Sequence, residues 1–170
     1  MKAAIMGYGT IGSGVYEVLD RNCKIVEKKA GEPIEVKYIL DLREFPGTPI
    51  EKLVIHDVKT IVDDPEIGIV VETMGGTTPA YEFVKSCLLA GKHVVTSNKA
   101  LVAAHGTELI RIAAEKNVSF LFEASVGGGI PIIRPLVECL GGEEIEEISG
   151  ILNGTTNYIL TKMNEEGWSF

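Results

Sequence analysis

The stretch "GYGTIGSGV", residues 7–15, follows an apolar run, Ala3-Ala4-Ile5-Met6, and opens an amphipathic segment. Strand, then Gly-x-Gly-x-x-Gly, then helix is the context in which this spacing marks a dinucleotide fingerprint. Gly7 makes the tight turn, Gly9 lets backbone approach a pyrophosphate, and Gly12 lets helix and strand pack closely. Phosphates would then lie at a helix N-terminus, where free N–H groups and the helix dipole favour anions. Gly7, Tyr8, Gly9, Thr10, Ile11 and Gly12 are therefore the first candidate cofactor-binding residues. The competing reading is a purely structural glycine turn.

Outward from this turn, short β-rich runs alternate with helical ones, which predicts a mostly parallel sheet covered on both faces. A helix is expected from 10 to about 29, with Ile11, Val15, Val18, Leu19 and Val26 on its apolar side, closed by Gly31-Glu32-Pro33. Strands are expected at 34–40, 67–71, 93–95, 118–122 and 145–152, with an irregular crossing over 41–57. Further helices are expected to open at Thr77-Thr78-Pro79, with a threonine cap and proline in the first turn, and near Ala103. Two more follow, one opened by Pro131 and running through Leu140, the other over 154–165. The fold class this implies is α/β, a Rossmann-like doubly wound parallel sheet over 1–130. Residues 131–170 read as a linker helix and the truncated beginning of an α+β substrate and dimerisation domain.

Composition narrows the function classes. The chain has 170 residues, 45% of them hydrophobic, and a mean hydropathy of +0.19, enough for a real core. A formal charge of −8, with no basic run interleaved with aromatics, argues against a nucleic-acid surface. Cys23, Cys87 and Cys139 are odd in number and far apart, which suits a reducing compartment and no metal site. There is neither the apolar core of a signal peptide nor a run of the roughly 20 apolar residues that spans a bilayer. The expected location is the cytoplasm.

Strand ends at the carboxyl edge of such a sheet line a ligand crevice. Asp41 and Arg43 follow the second strand. A carboxylate there accepts from a ribose 2′-hydroxyl and favours NAD, whereas Arg43 meets a 2′-phosphate and admits NADP; solvated loop charges are the third possibility. Thr73-Met74-Gly75, Thr96-Ser97-Asn98-Lys99 and Glu123 to Pro131 converge on the same edge. Lys99 is either a surface charge flanking a helix or a functional ammonium at the nicotinamide end.

Three longer stretches, "GKHVVTSNKALVA", "FEASVGGGIPIIRPL" and "GILNGTTNYILTKM", in this order and behind "GYGTIGSGV", resemble the signatures of the homoserine dehydrogenase family. The resemblance covers essentially the whole chain. It implies NAD(P)-dependent interconversion of L-homoserine and L-aspartate 4-semialdehyde, on the route to threonine, methionine and isoleucine. The apolar residues and strand edges left unpaired over 145–159 favour self-association, with a homodimer expected. The resemblance implies that Lys99 contacts nicotinamide and substrate and joins in proton transfer, and that Gly154 and Thr155 edge the homoserine pocket. It also implies that oxygens of Glu123, Val126, Gly128 and Ile130 hold a sodium ion; a loop that merely packs two domains remains the alternative. The family's substrate domain continues beyond Phe170 with an acidic stretch and a second lysine. The expectation is that this chain alone binds coenzyme without turnover.

Overall fold

The computed structural model describes all residues from 1 to 170. They divide into two compact units, Met1–Phe122 and Glu123–Phe170.

In the first unit the strands are β1 (Lys2–Met6), β2 (Glu35–Leu40), β3 (Val54–Ile55), β4 (Ile67–Glu72), β5 (His93–Thr96) and β6 (Phe120–Leu121). All pair in parallel, in the order β3-β2-β1-β4-β5-β6. The chain leaves β3 at one edge and returns on the far side of β1 as β4. This reversal of winding places a crevice at the carboxyl ends of β1 and β4.

Both faces of the sheet are buried, and the alternation of side chains in β1 shows how. Ala4 and Met6 belong to a core with Val70, Val84, Leu88, Val94 and Leu109, whereas Ile5 packs with Ile39 and Ile50 on the opposite face. The first of these cores is roofed by α4 (Ala80–Leu89) and α5 (Lys99–Glu115).

The single helix expected over 10–29 is two helices, α1 (Thr10–Arg21) and α2 (Cys23–Ala30). They meet at Asn22, whose φ of −103° and ψ of 19° leave the helical region, and asparagine is a weak helix former. The short α3 (Lys59–Asp63) and strand β3 lie in and just after the segment expected to be irregular. Helix α4 carries no threonine cap: Pro79 occupies the cap position without a side-chain hydrogen bond, and the Thr78–Pro79 peptide is cis. Helix α5 begins at Lys99 rather than near Ala103, because the Asn98 side chain accepts the Leu101 N–H and caps it.

The second unit departs most from expectation. The helix expected from Pro131 through Leu140 forms over a shorter span: residues 133 and 134 are helical and run into a π-helical turn, Pro135–Cys139, where Leu140 N–H donates to the Pro135 carbonyl. No strand forms over 145–152. Ile145, Ile148 and Ile151 recur every third residue, which does not give the two-residue alternation of a half-buried strand, and all three are exposed. The last helix, α6 (Gly154–Glu166), is where the pattern places it, capped by Asn153 and closed by Gly167 in the left-handed conformation. None of its helices is long and apolar enough to cross a membrane.

The tightest packing lies where α1 crosses β1. A Cβ on Gly12 would sit 2.0 Å from the Gly7 carbonyl oxygen and 2.9 Å from Thr73 Oγ1. Backbone would have to move to admit it. Gly12→Ala should therefore lower unfolding free energy by about 3 kcal/mol, the upper part of the overpacking range. Urea denaturation followed by circular dichroism checks this; a loss below about 0.5 kcal/mol would show that α1 shifts freely on the sheet.

Candidate functional site

The glycine turn is held from both sides. Gly7 adopts a φ of +92°, a left-handed conformation that other residues rarely take, and its N–H donates to the Leu40 carbonyl at 2.8 Å. From β4, the Thr73 hydroxyl donates to the Gly7 carbonyl at 2.7 Å. From β2, the Asp41 carboxylate accepts the Tyr8 N–H at 2.7 Å. The turn then enters α1 through Gly9, with no side-chain cap on the helix and no acidic residue in its first turn. The first N–H groups of α1 thus meet no capping side chain, which is the condition for an anion site.

A cleft of about 570 Å³ opens over this turn. Gly7, Tyr8, Gly9, Asp41, Arg43, Thr73, Met74 and Gly75 line it, so most of the coenzyme-binding candidates chosen from sequence converge in one place. Thr10, Ile11, Gly12 and Lys99 are not among the lining residues; Gly12 is buried beneath the turn and Ile11 is exposed. The cleft's other walls are Leu40, Leu42, His56, Thr78, Pro79 and Phe83.

Asp41 and Arg43 are bound to each other. Asp41 Oδ1 accepts from Arg43 N at 3.0 Å and Nε at 2.9 Å, and Oδ2 accepts from Arg43 Nη2 at 2.9 Å. With the Tyr8 N–H, the carboxylate takes four hydrogen bonds, about the capacity of its lone pairs. The Arg43 side chain, then burial acting in the opposite sense, then the backbone N–H groups set its acidity. The sum holds Asp41 well below the usual carboxylate range. Arg43 Nη2 also donates to the Tyr8 carbonyl, and its guanidinium lies 5.1 Å from the centre of the Phe45 ring.

His56 was missed from sequence, since one histidine in an irregular segment carries no spacing signal. Its Nδ1 lies 2.7 Å from the Asp41 carbonyl and its Nε2 lies 2.8 Å from Glu44 Oε1. Both partners accept, an arrangement that favours the doubly protonated ring. The Asp41 carbonyl, then Glu44, raise its pKa.

Lys99 is exposed and is the first residue of α5, immediately after the capping Asn98. The residue before it, Asn98, contacts a second residue that sequence reading passed over. Glu72, fully buried at the end of β4, is hydrogen-bonded to Thr96, Met74 and Asn98.

In the second unit, the Glu123 carboxylate accepts backbone N–H groups of Ile132, Ile133 and Arg134. Those bonds, Ile132's first, lower its pKa. The Glu123 carbonyl accepts the Val126 N–H, and Gly127 and Gly128 have φ of +71° and +63°. No group of histidine, cysteine, aspartate and glutamate side chains is arranged to hold a metal ion. Gly154 and Thr155 form the first turn of α6, where it is Asn153 that accepts the Thr156 N–H.

Because the imidazolium of His56 is favoured in the folded state, its titration midpoint should lie above about 6.5, the ordinary value. Its contribution to stability should be complete below that ordinary value and disappear as pH rises through the folded midpoint. Proton NMR titration reads this directly. Glu44→Gln should lower the midpoint; an unchanged midpoint would remove Glu44 from the account.

Comparison with known proteins places this geometry. Residues 7–123 match the family model described as "Homoserine dehydrogenase, NAD binding domain", and residues 131–170 match the one described as "Homoserine dehydrogenase". A homoserine dehydrogenase of Pseudomonas aeruginosa is 44% identical over the whole chain, which covers 39% of that relative. The crystal structure of a homoserine dehydrogenase from Thiobacillus denitrificans superposes with a TM-score of 0.87 at 42% identity, covering 99% of this chain and 39% of that one. A hyperthermophilic archaeal homoserine dehydrogenase in complex with NADPH gives 0.80 at 29% identity, over 96% of this chain and 56% of that one. The chain thus spans about two-fifths of the length of the Pseudomonas and Thiobacillus relatives.

Proposed function

We propose a function on one premise: the chain belongs to the homoserine dehydrogenase family. Its first unit binds NAD or NADP in the 570 Å³ cleft, as the coenzyme-holding part of an enzyme that interconverts L-homoserine and L-aspartate 4-semialdehyde. The observation that carries this reading is the glycine turn, which is held by Asp41 and Thr73, lines the cleft and leads into the uncapped start of α1. A Cβ on Gly9 would meet nothing within 4 Å, so the chain itself leaves room for a pyrophosphate there.

Bound coenzyme supplies the hydride acceptor for alcohol oxidation. The chain's residues bind and orient. Gly7 to Gly12 hold the pyrophosphate, Asp41 and Arg43 read the adenosine ribose, and Thr73, Met74 and Gly75 line the central stretch. The nicotinamide half then lies over the ends of β4 and β5. There Lys99 follows β5 and takes the hydroxyl proton as the substrate is oxidised, general acid–base work that lysine can do. Gly154 and Thr155, at the uncrowded start of α6, edge the homoserine pocket. A sodium ion in the 123–130 loop would take oxygens of Glu123, Val126, Gly128 and Ile130, with the Glu123 carboxylate already accepting three backbone N–H groups. Cytoplasmic location and homodimer formation complete the reading. Ile145, Ile148, Ile151 and Val137 are exposed apolar side chains that a second copy would cover.

Isothermal titration with NAD, NADH, NADP and NADPH tests the coenzyme reading; no binding of any of the four would remove it. Arg43 discriminates among them. A 2′-phosphate takes over the guanidinium, whereas a 2′-hydroxyl needs an Asp41 lone pair that Arg43 now fills. Arg43→Ala should weaken NADP at least tenfold, about 1.4 kcal/mol, and change NAD by less than about threefold. Equal losses for both would strip Arg43 of that role.

A further inference from the structure

Glu72 is a carboxylic side chain with 0% exposure in the middle of the sheet, and the chemistry above makes no use of it. It ends β4 and lies in register with Met6 of β1 and Thr96 of β5, directly under the crevice. Burying such a group is costly unless its oxygens are satisfied. Here they are satisfied by two segments of the crevice edge. Oε1 accepts the Met74 N–H at 2.8 Å and Asn98 Nδ2 at 3.3 Å, and Oε2 accepts the Thr96 hydroxyl at 2.5 Å. None of these partners is a cation.

The contacts continue outward. Asn98 Nδ2 also donates to the Gly76 carbonyl at 2.6 Å, and its Oδ1 accepts the Leu101 N–H that caps α5. The Asn98 N–H donates to Thr96 Oγ1 at 3.0 Å, and the Glu72 carbonyl accepts the Ser97 N–H at 3.2 Å. One buried carboxyl group therefore joins the 73–76 turn to the residue that precedes Lys99. A simple helix cap needs only the Leu101 bond. The remaining bonds tie the cap to the neighbouring strand end.

We propose that Glu72 is a positioning residue: acting through Asn98, it sets where the start of α5, and with it Lys99, stands relative to the nicotinamide half of the coenzyme. This rests on the coenzyme-binding function proposed above. The adenosine half is held elsewhere, by the glycine turn and Asp41, so the two halves should respond differently when the tie is cut.

The test compares NADH, read by its nicotinamide fluorescence, with ADP-ribose, which lacks nicotinamide, on the 170-residue chain. Asn98→Ser keeps a good helix cap but loses the Nδ2 donor. Glu72→Met keeps volume and loses the acceptor. Each should weaken NADH at least tenfold and leave ADP-ribose within twofold, the pattern also expected of Lys99→Ala. Glu72→Gln, whose amide oxygen still accepts from Met74 and Asn98, should restore NADH affinity to within threefold of the wild type. The double variant should be no weaker than the weaker single variant, because both changes cut one connection. Should Glu72→Met fail to fold, Asn98→Ser alone decides. Parallel loss of NADH and ADP-ribose, NADH affinity unchanged in Asn98→Ser, or Glu72→Gln as weak as Glu72→Met would each overturn the proposal. Failure of the wild-type chain to bind either ligand would instead overturn the coenzyme reading, and this inference with it.

Discussion

Helix α1 lies so close to the end of β1 that no side chain fits between them. The space a Cβ on Gly12 would need is already taken by the Gly7 carbonyl, 2.0 Å away. That contact brings the uncapped N-terminus of α1 against the turn that leaves β1, and the same turn is pinned by Thr73 and Asp41. Free N–H groups stay fixed at the carboxyl edge of the sheet only while all three constraints hold. The cleft, its glycine floor and its two walls follow from that placement.

The order of the strands decides what else can reach the cleft. Because β2 and β4 flank β1, residues just after those strands face one another across the glycine turn. Asp41 and Arg43 stand at one wall, and Thr73, Met74 and Gly75 at the other. The first wall is an ion pair whose carboxylate is fully engaged. On the proposed reading, a ribose hydroxyl would compete with Arg43 for that carboxylate, and a phosphate would compete with the carboxylate for Arg43. The second wall is backed by Glu72, which ties it to β5 and α5 through uncharged donors.

The fold class, the glycine turn and the gathering of Gly7, Asp41, Arg43 and Thr73 at one edge were legible in the sequence. Each rests on a local pattern: an apolar run, glycines at a fixed spacing, charges just past a strand. The split between α1 and α2 was not legible, because asparagine is only a weak helix former, tolerated inside many helices, and neither glycine nor proline stands beside Asn22. The start of α5 at Lys99 was signalled by Asn98, a good cap that apolar periodicity alone overlooks. Glu72 and His56 were hidden for a different reason. Their partners, Asn98 for the one and Asp41 for the other, are close only after the sheet forms. The expected strand over 145–152 failed because an apolar residue at every third position does not make one face of a strand, and no neighbouring strand pairs with it.

Binding of the dinucleotide over the glycine turn and the start of α1 is tested most directly by recording amide NMR spectra of the chain as NADPH is added. The largest shifts should fall on Tyr8 to Ser13 and on Asp41 and Arg43, while the amides of α2 stay in place. Saturating shifts centred instead on 16–36, or on the unit from Glu123 to Phe170, would contradict it.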